Sequence, residues 1–162
     1  MIFEVLKKIL ERILVEFFNK DKILLQNNSH EQAISHKLAC YLEKELEDFL
    51  ERNNYSVDVE YNRYWEDPKR SKELDNSLIK PDIIIHRRWK NNDGDNLLVF
   101  EIKKWVLDWS DINKLKEMTK INWSFWYEYW IWLYNFDSSN NSCDIDIYEN
   151  WEISEKLLFS NW

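Results

Sequence analysis

The sequence predicts a single α/β (α+β) domain built on a mixed sheet. Its 162 residues suit one domain, and they suffice for a full core without disulfides or a structural metal. The first third has apolar residues at helical spacing, whereas short apolar runs separated by polar turns follow from Tyr55 onward. With one glycine and two prolines, the composition argues against disorder and against a long linker.

Two helices are predicted before the first strand. Residues 2–18 form an amphipathic helix, which we expect to pack on the domain rather than on a second copy of the chain. A second helix runs from about His30 to Arg52, with Ser29 and Gln32 as its capping box. We therefore divide the domain into a helical extension (1–26), a core (29–136) and a C-terminal strand and tail (137–162).

The remaining elements form a predicted antiparallel meander followed by a helical crossover into a further strand. In chain order they are a half-buried strand at 55–63, a polar connection at 64–79, a hairpin at 81–104, a short helix at 111–120, an aromatic strand at 126–136, a strand at 144–149 and a short terminal helix at 153–159. Because the aromatic strand lacks charge past Glu128, we expect it to be central and covered on both faces.

The hairpin brings three charged side chains together. Asp93-Gly94 is the strongest turn signal in the chain, and strand alternation puts Glu101 and Lys103 on one face. A turn centred there pairs Asp82 with an odd-numbered residue, and a centre one residue earlier pairs it with Lys103. Either register places Asp82 on the same face of the sheet as Glu101, whereas a slip of the pairing by one residue would move Asp82 to the opposite face.

Two adjacent carboxylates repel each other, so they are costly to bring together unless a cation lies between them. Carboxylate oxygens select Mg²⁺ or Mn²⁺, which also bind substrate phosphates. A lysine two residues after the second carboxylate reaches the same place and stabilises charge on a reacting phosphate. The competing explanation for Glu101 is a structural salt bridge to Lys103 or Lys80.

Pro81-Asp82 followed by Glu101-Ile102-Lys103 resembles the PD-(D/E)xK nuclease superfamily, whose members share the restriction-endonuclease-like fold. The 19-residue separation of Asp82 and Glu101 lies within that motif's variation. The predicted order from His30 to Phe136 is similar to the family core of helix, three strands, helix and strand. The sequence segments VDVEYNR, KPDIIIHRR, LLVFEIKK and DINKL also resemble those of uncharacterised bacterial and phage members of the superfamily.

The resemblance implies a role for each matching residue. Asp82 and Glu101 would be metal ligands, with help from the Ile102 carbonyl, and Lys103 would be the catalytic lysine. Glu31, at the start of the second helix, matches an additional acid of the family; a first-turn glutamate is also favoured by the helix dipole alone. Lys104 is a spare amine that points to the opposite face if the strand stays regular.

Basic residues near the hairpin are candidate phosphate contacts. The densest cluster is His86, Arg87, Arg88 and Lys90. Arg63, on the preceding strand, and Lys104, after the second hairpin strand, are the other candidates for nucleic-acid binding. A solvated strand edge explains the cluster equally well. The net charge of −8 weighs against a nucleic-acid binder, although binding depends on local patches rather than on the total.

The leading hypothesis is a Mg²⁺-dependent nuclease, with Mn²⁺ as a substitute and DNA rather than RNA as the expected substrate. A nuclease-like module that serves only in binding or assembly is the alternative, and an acidic mimic of DNA is a remote third. Many members of the superfamily act as dimers, so the resemblance implies a homodimer, for which the first helix is a candidate element if it does not pack on the domain. Two isolated cysteines and a charged N-terminal helix predict a cytoplasmic protein without a membrane span.

Overall fold

The computed structural model describes residues 2–64, 67–68, 70, 78, 80–88, 94–105, 127–149 and 152–160. These residues form an α/β fold, as predicted, with three helices and an open, mostly antiparallel six-stranded sheet. The helices are α1 (Ile2–Lys20), α2 (Ile23–Gln26) and α3 (Glu31–Asn53). The strands are β1 (Ser56–Val59), β2 (Arg63–Tyr64), β3 (Asp67–Pro68), β4 (Ile83–His86), β5 (Asn96–Ile102), β6 (Tyr129–Asp137), β7 (Ser142–Glu149) and β8 (Glu152–Ser160).

The large sheet has the order β1-β4-β5-β6-β7-β8, and β2 pairs separately with β3. The antiparallel meander is confirmed, since β1 pairs with β4 and β4 with β5. Strand β6 lies parallel to β5, as the predicted crossover requires. The crossover helix predicted at 111–120 lies outside the described residues.

Helix α1 belongs to the main hydrophobic core. Its buried stripe packs with α3 against one face of the sheet, which includes Ile83, Phe100 and Ile131. Rings from distant elements meet there; Phe17 lies edge-on to Phe136 at 6.0 Å between ring centroids. The expectation that this stripe is core is therefore confirmed.

The opposite side of the sheet, here called the second face, carries a smaller apolar cluster. It contains Ile84, Val99, Tyr127, Trp130 and Trp132, each at most 1% exposed. The central position of the aromatic strand and its burial on both faces are confirmed, because β6 contributes to both clusters. Alternation along the strands gives neighbouring positions to opposite faces.

The capping box predicted for the second helix is not formed. The N-cap of α3 is His30, which makes no side-chain cap hydrogen bond. The carbonyl of Ser29 instead accepts a hydrogen bond from the Lys104 ammonium, at 2.8 Å. The short helix α2 holds Ser29 in place, since the Ser29 N–H donates to the Leu24 carbonyl.

The terminal helix predicted at 153–159 is wrong. These residues lie in strand β8, which pairs antiparallel with β7 from Ser142↔Ser160 to Glu149↔Glu152. A short apolar run suits a strand as well as a helix, and pairing with β7 gives hydrogen-bond partners to the backbone groups on one side of β8.

The hairpin register also differs from both predicted versions. Ile83 pairs with Phe100 and Ile85 with Leu98, whereas His86 pairs with Asn96 across a bulge. Gly94 does have the positive φ, 81°, that suits glycine in a turn. The pairing is not centred on Asp93-Gly94, however, because the Arg87 N–H donates to the Asp95 carbonyl on the β5 side.

Among the described residues, no helix is both long and apolar enough to span a membrane. Both cysteines are free; Cys40 is exposed and Cys143 is buried within β7, not before it. Burial raises the pKa of the Cys143 thiol, so that thiol is inert.

Candidate functional site

Asp82 lies opposite Glu101 when the β4–β5 register is continued by one residue beyond Ile83↔Phe100. Ile84 and Val99, two residues further along each strand, are partners on the second face. Alternation therefore places Asp82 and Glu101 together on that face. The bulge determines which residue lies opposite Asp82. If the His86↔Asn96 register continued along the strands without the bulge, Asp82 would lie opposite Phe100 instead of Glu101.

Backbone contacts hold Asp82 from both sides. Its Oδ2 accepts a hydrogen bond from the Ile102 N–H at 2.7 Å, and its carbonyl accepts one from the Glu60 N–H at 3.1 Å. The second bond continues the β1–β4 register past Val59↔Ile83. Asp82 is thus fixed between two strands although it precedes β4 itself.

Pro81 changes what the Ile102 backbone can do. In the same register, Pro81 stands opposite Ile102, and proline has no N–H to offer the Ile102 carbonyl. The N–H and C=O of one strand residue point to the same neighbouring strand. Since the Ile102 N–H points to Asp82, we expect its carbonyl oxygen on that side as well.

Glu101 is a buried carboxylate in the middle of the sheet. It is 4% exposed and lies beside Trp132 in the parallel β5–β6 register. A charge in such a place is expensive unless a cation or a set of hydrogen bonds compensates it. Of the charged side chains predicted for the site, Glu101 is the one most removed from solvent.

Lys103 and Glu31 meet at the end of β5. The Lys103 N–H still donates to the Leu133 carbonyl, at 2.9 Å, so the strand register continues to this residue. The Lys103 Nζ lies 3.9 Å from Glu31 Oε2, with both side chains about one-third exposed. Glu31 Oε1 accepts a hydrogen bond from the Lys104 N–H at 2.9 Å. One carboxylate thus joins the start of α3 to both lysines.

The Lys104 ammonium is held by neutral oxygens. Its Nζ contacts Asn28 Oδ1 at 2.6 Å, the Ser29 carbonyl at 2.8 Å and the Asn28 carbonyl at 3.5 Å. These contacts tie the end of β5 to the link between α2 and α3. They place the amine on the helix side, away from Glu101.

Glu60 is a third acid in the row formed by β1, β4 and β5. Its N–H binds the Asp82 carbonyl, and its carboxylate lies 2.5 Å from the Lys80 ammonium. Glu60 has a positive φ of 53°, which ends β1 directly beside the site. The Lys80 ammonium is therefore engaged with the Glu60 carboxylate.

The donor set at this end of the sheet fits a hard divalent cation. Two carboxylates from neighbouring strands and a carbonyl at Ile102 are the oxygen ligands that Mg²⁺ takes together with waters. Within the described part of the chain, no group of three or more His, Cys, Asp and Glu side chains is arranged to hold a metal. Water and substrate oxygens would have to complete the shell.

A second polar network on the second face was missed by the sequence analysis. The carboxylate of Asp58 accepts from His86 Nε2 at 2.9 Å and from Arg88 Nε and Nη2 at 2.8 and 2.6 Å. Burial raises the pKa of Asp58, but the bonds from His86 and Arg88 outweigh it and lower that pKa from 3.8 to about 2. Alternation in two neighbouring strands is the signal that would have paired Asp58 with His86.

The predicted basic contacts are mostly engaged within the fold. Arg88 is committed to Asp58, and Arg87 donates to Asp95 Oδ1 and to the Asn53 carbonyl. The Arg87 guanidinium also stacks over the Tyr55 ring at 4.3 Å. Arg63 is exposed on β2, and Lys90 lies outside the described residues. Neither Arg87 nor Arg88 is brought to Asp82.

Comparisons with protein-family models, curated proteins and solved structures give no match for this chain.

Proposed function

We propose that the chain is a metal-dependent nuclease of the PD-(D/E)xK superfamily with a restriction-endonuclease-like core. The observation that carries the proposal is the position of Asp82 opposite Glu101, with the Ile102 N–H bound to Asp82. The order α3, β1, β4, β5 and then a parallel β6 supports the same family core.

In this proposal Asp82, Glu101 and the Ile102 carbonyl hold Mg²⁺ or Mn²⁺. The cation supplies an activated water and neutralises the phosphate. Lys103 stabilises the negative charge that develops on the phosphate, and Glu31 holds the Lys103 side chain and the Lys104 backbone in position. The chain itself therefore contributes positioning and charge.

The test is a cleavage assay on DNA and on RNA, with Mg²⁺ or Mn²⁺, of the intact chain. We expect Asp82→Asn and Lys103→Ala each to reduce cleavage at least ~100-fold. The matched control is Asp48→Asn, since Asp48 lies on α3 with its side chain 88% exposed. If both Asp82→Asn and Lys103→Ala still cleave as the wild type does, this assignment of the active site is excluded. The nucleic acid that the wild type cleaves faster, DNA or RNA, identifies the substrate.

The second candidate is a nuclease-like module for binding or assembly that does not cleave. It is favoured by the engagement of Asp82 and Glu31 with backbone N–H groups, which gives both acids a structural use. Calorimetric titration separates the two candidates. If the protein binds neither Mg²⁺ nor Mn²⁺ near millimolar concentration, the binding module is the better description.

The expected cytoplasmic location and the homodimer remain predictions. In the monomer the buried stripe of α1 is already used in the core. A dimer would therefore have to use another surface of that helix.

A further inference from the structure

A cavity of about 340 Å³ opens at the end of β5, directly after Lys103. Its walls come from the α2–α3 link, the end of β5 and the end of β6, and they include Asn28, Lys104, Trp105, Asn135 and Phe136. The volume falls at the lower end of the ~300–1,000 Å³ range of small-molecule sites. The cavity is thus large enough for one planar ring system and the group attached to it.

Trp105 presents a large ring on a fixed backbone. It is 68% exposed, whereas Trp130 and Trp132 are each 1% exposed. The Trp105 carbonyl accepts from the Asn135 N–H at 3.4 Å, and the Lys104 carbonyl accepts from the Phe136 N–H at 3.0 Å. An exposed indole that is anchored in this way is a ready stacking surface for a nucleobase.

The cavity wall carries one ammonium and one carboxylate, those of Lys104 and Asp137, and the Lys104 charge makes no direct pair with a carboxylate of the described residues. All three contacts of the Lys104 ammonium are to neutral oxygens of Asn28 and Ser29, and none to a carboxylate of the described residues. Its N–H donors are occupied, so Lys104 attracts an anion through its charge rather than by new hydrogen bonds. A phosphate group is the anion that accompanies a nucleobase.

Two amide side chains also line the cavity, together with Leu25, Asp137 and Ser138. Asn28 uses its Oδ1 for Lys104, and Asn135 uses its Nδ2 for Asp144 Oδ2 at 2.9 Å. Among the described residues, none forms a hydrogen bond with the Asn28 Nδ2 or the Asn135 Oδ1. The residues that line the cavity therefore include an amide N–H₂ on Asn28 and an amide carbonyl on Asn135, which suit the acceptors and donors along the edge of a base.

We propose that this cavity binds one unstacked nucleotide of a single-stranded nucleic acid, with its base on Trp105 and its phosphate near Lys104. The inference rests on the proposed nuclease function, whose lysine is only two residues away. A base within a duplex cannot place its face on the indole, because both of its faces are stacked. The site accordingly selects single strands, loops or frayed ends over continuous duplex.

The experiment measures binding by fluorescence anisotropy, without divalent cations, of a labelled single-stranded oligonucleotide and of the same sequence as a duplex. We expect Trp105→Ala to weaken single-strand binding about 5- to 150-fold, as loss of one base–aromatic stack does, and to leave duplex binding unchanged. Trp105→Phe should retain most of the affinity. The matched control is Leu158→Ala on β8, an exposed apolar residue (69%) at the far edge of the sheet.

The proposal is overturned if Trp105→Ala binds the single strand as wild type does, or if it loses single strand and duplex equally. An independent readout uses the unmodified chain: an oligonucleotide with 5-iodouracil should photocrosslink to Trp105, identified by mass spectrometry, and crosslinking only elsewhere contradicts the proposal. Failure of the nuclease function appears separately, as cleavage that is absent or insensitive to Asp82→Asn while the binding difference persists.

Discussion

The Asp82 carboxylate accepts a 2.7 Å hydrogen bond from the Ile102 N–H, at the point where Pro81 interrupts the β4–β5 ladder. A side chain thus takes the place that a backbone carbonyl has elsewhere in the sheet. The same carboxylate is the proposed metal ligand, so one residue has both a structural and a chemical use. The two uses respond differently to substitution.

The first prediction separates these uses by stability. Asp82→Ala leaves the Ile102 N–H without its acceptor, and we expect the free energy of unfolding to fall by about 1–3 kcal/mol. Asp82→Asn keeps an acceptor of the same shape and should lose less than half as much. Urea denaturation of the two variants measures the difference, and equal losses would show that the hydrogen bond contributes nothing. Cleavage should be lost in both.

The second prediction concerns metal-linked stability. A cation that binds only the folded chain raises the free energy of unfolding by ~1.4 kcal/mol at ten times its Kd. We expect Mg²⁺ or Mn²⁺ to raise the melting temperature of the wild type, and to have no such effect on Asp82→Asn or on Glu101→Gln.

Sodium chloride at matched ionic strength is the control for general screening in that measurement. Both variants remove one proposed ligand but keep side-chain size. An equal rise in all three proteins would place the cation elsewhere on the chain, and no rise in the wild type would favour the module that does not bind metal.

Sequence patterns predicted which face Asp82 occupies but not the residue opposite it. Strand alternation is a property of each strand alone, so the shared face of Asp82 and Glu101 follows from any pairing of the right parity. The bulge between Ile85 and His86, where Leu97 is the extra residue of β5, is not stated by any local pattern. The predicted face is therefore right, although both registers were wrong.

The errors elsewhere have a similar origin. Residues 153–159 form a strand because β7 has an edge to pair with, and the Asp58–His86 contact exists because β1 lies beside β4. Both depend on which elements become neighbours. The helices α1 and α3 were predicted closely, since their apolar stripes are local and long.

The third prediction is a pH dependence that arises from Asp58. Because its pKa is lowered from 3.8 to about 2 in the folded chain, its ionised form stabilises the fold above pH ~4, and this contribution is lost as the pH falls from 4 to 2. The shift corresponds to about 2 kcal/mol for a side chain that is 16% exposed.

We expect Asp58→Asn to lower the free energy of unfolding by about that amount at pH 7, with the gap to wild type closing toward pH 2. Chemical denaturation at several pH values measures the gap. Asp48→Asn, at an exposed position of α3, should show none. A gap that stays constant between pH 7 and pH 2 would mean that the ionisation of Asp58 is not its source.

The fourth prediction concerns Glu31, which joins α3 to the end of β5. Its two oxygens contact the Lys104 N–H and the Lys103 ammonium. Glu31→Gln keeps the neutral acceptor for Lys104 but removes the charge that faces Lys103, whereas Glu31→Ala removes both.

If Glu31 only positions the strand end, Glu31→Gln should retain cleavage within about threefold of wild type while Glu31→Ala loses about 1–2 kcal/mol of stability. If Glu31 acts on the metal or through its charge on Lys103, Glu31→Gln should reduce cleavage as strongly as Glu31→Ala and shift its pH profile. Parallel measurement of unfolding and cleavage in the two variants decides between these roles, because only the second makes activity follow the charge rather than the hydrogen bond.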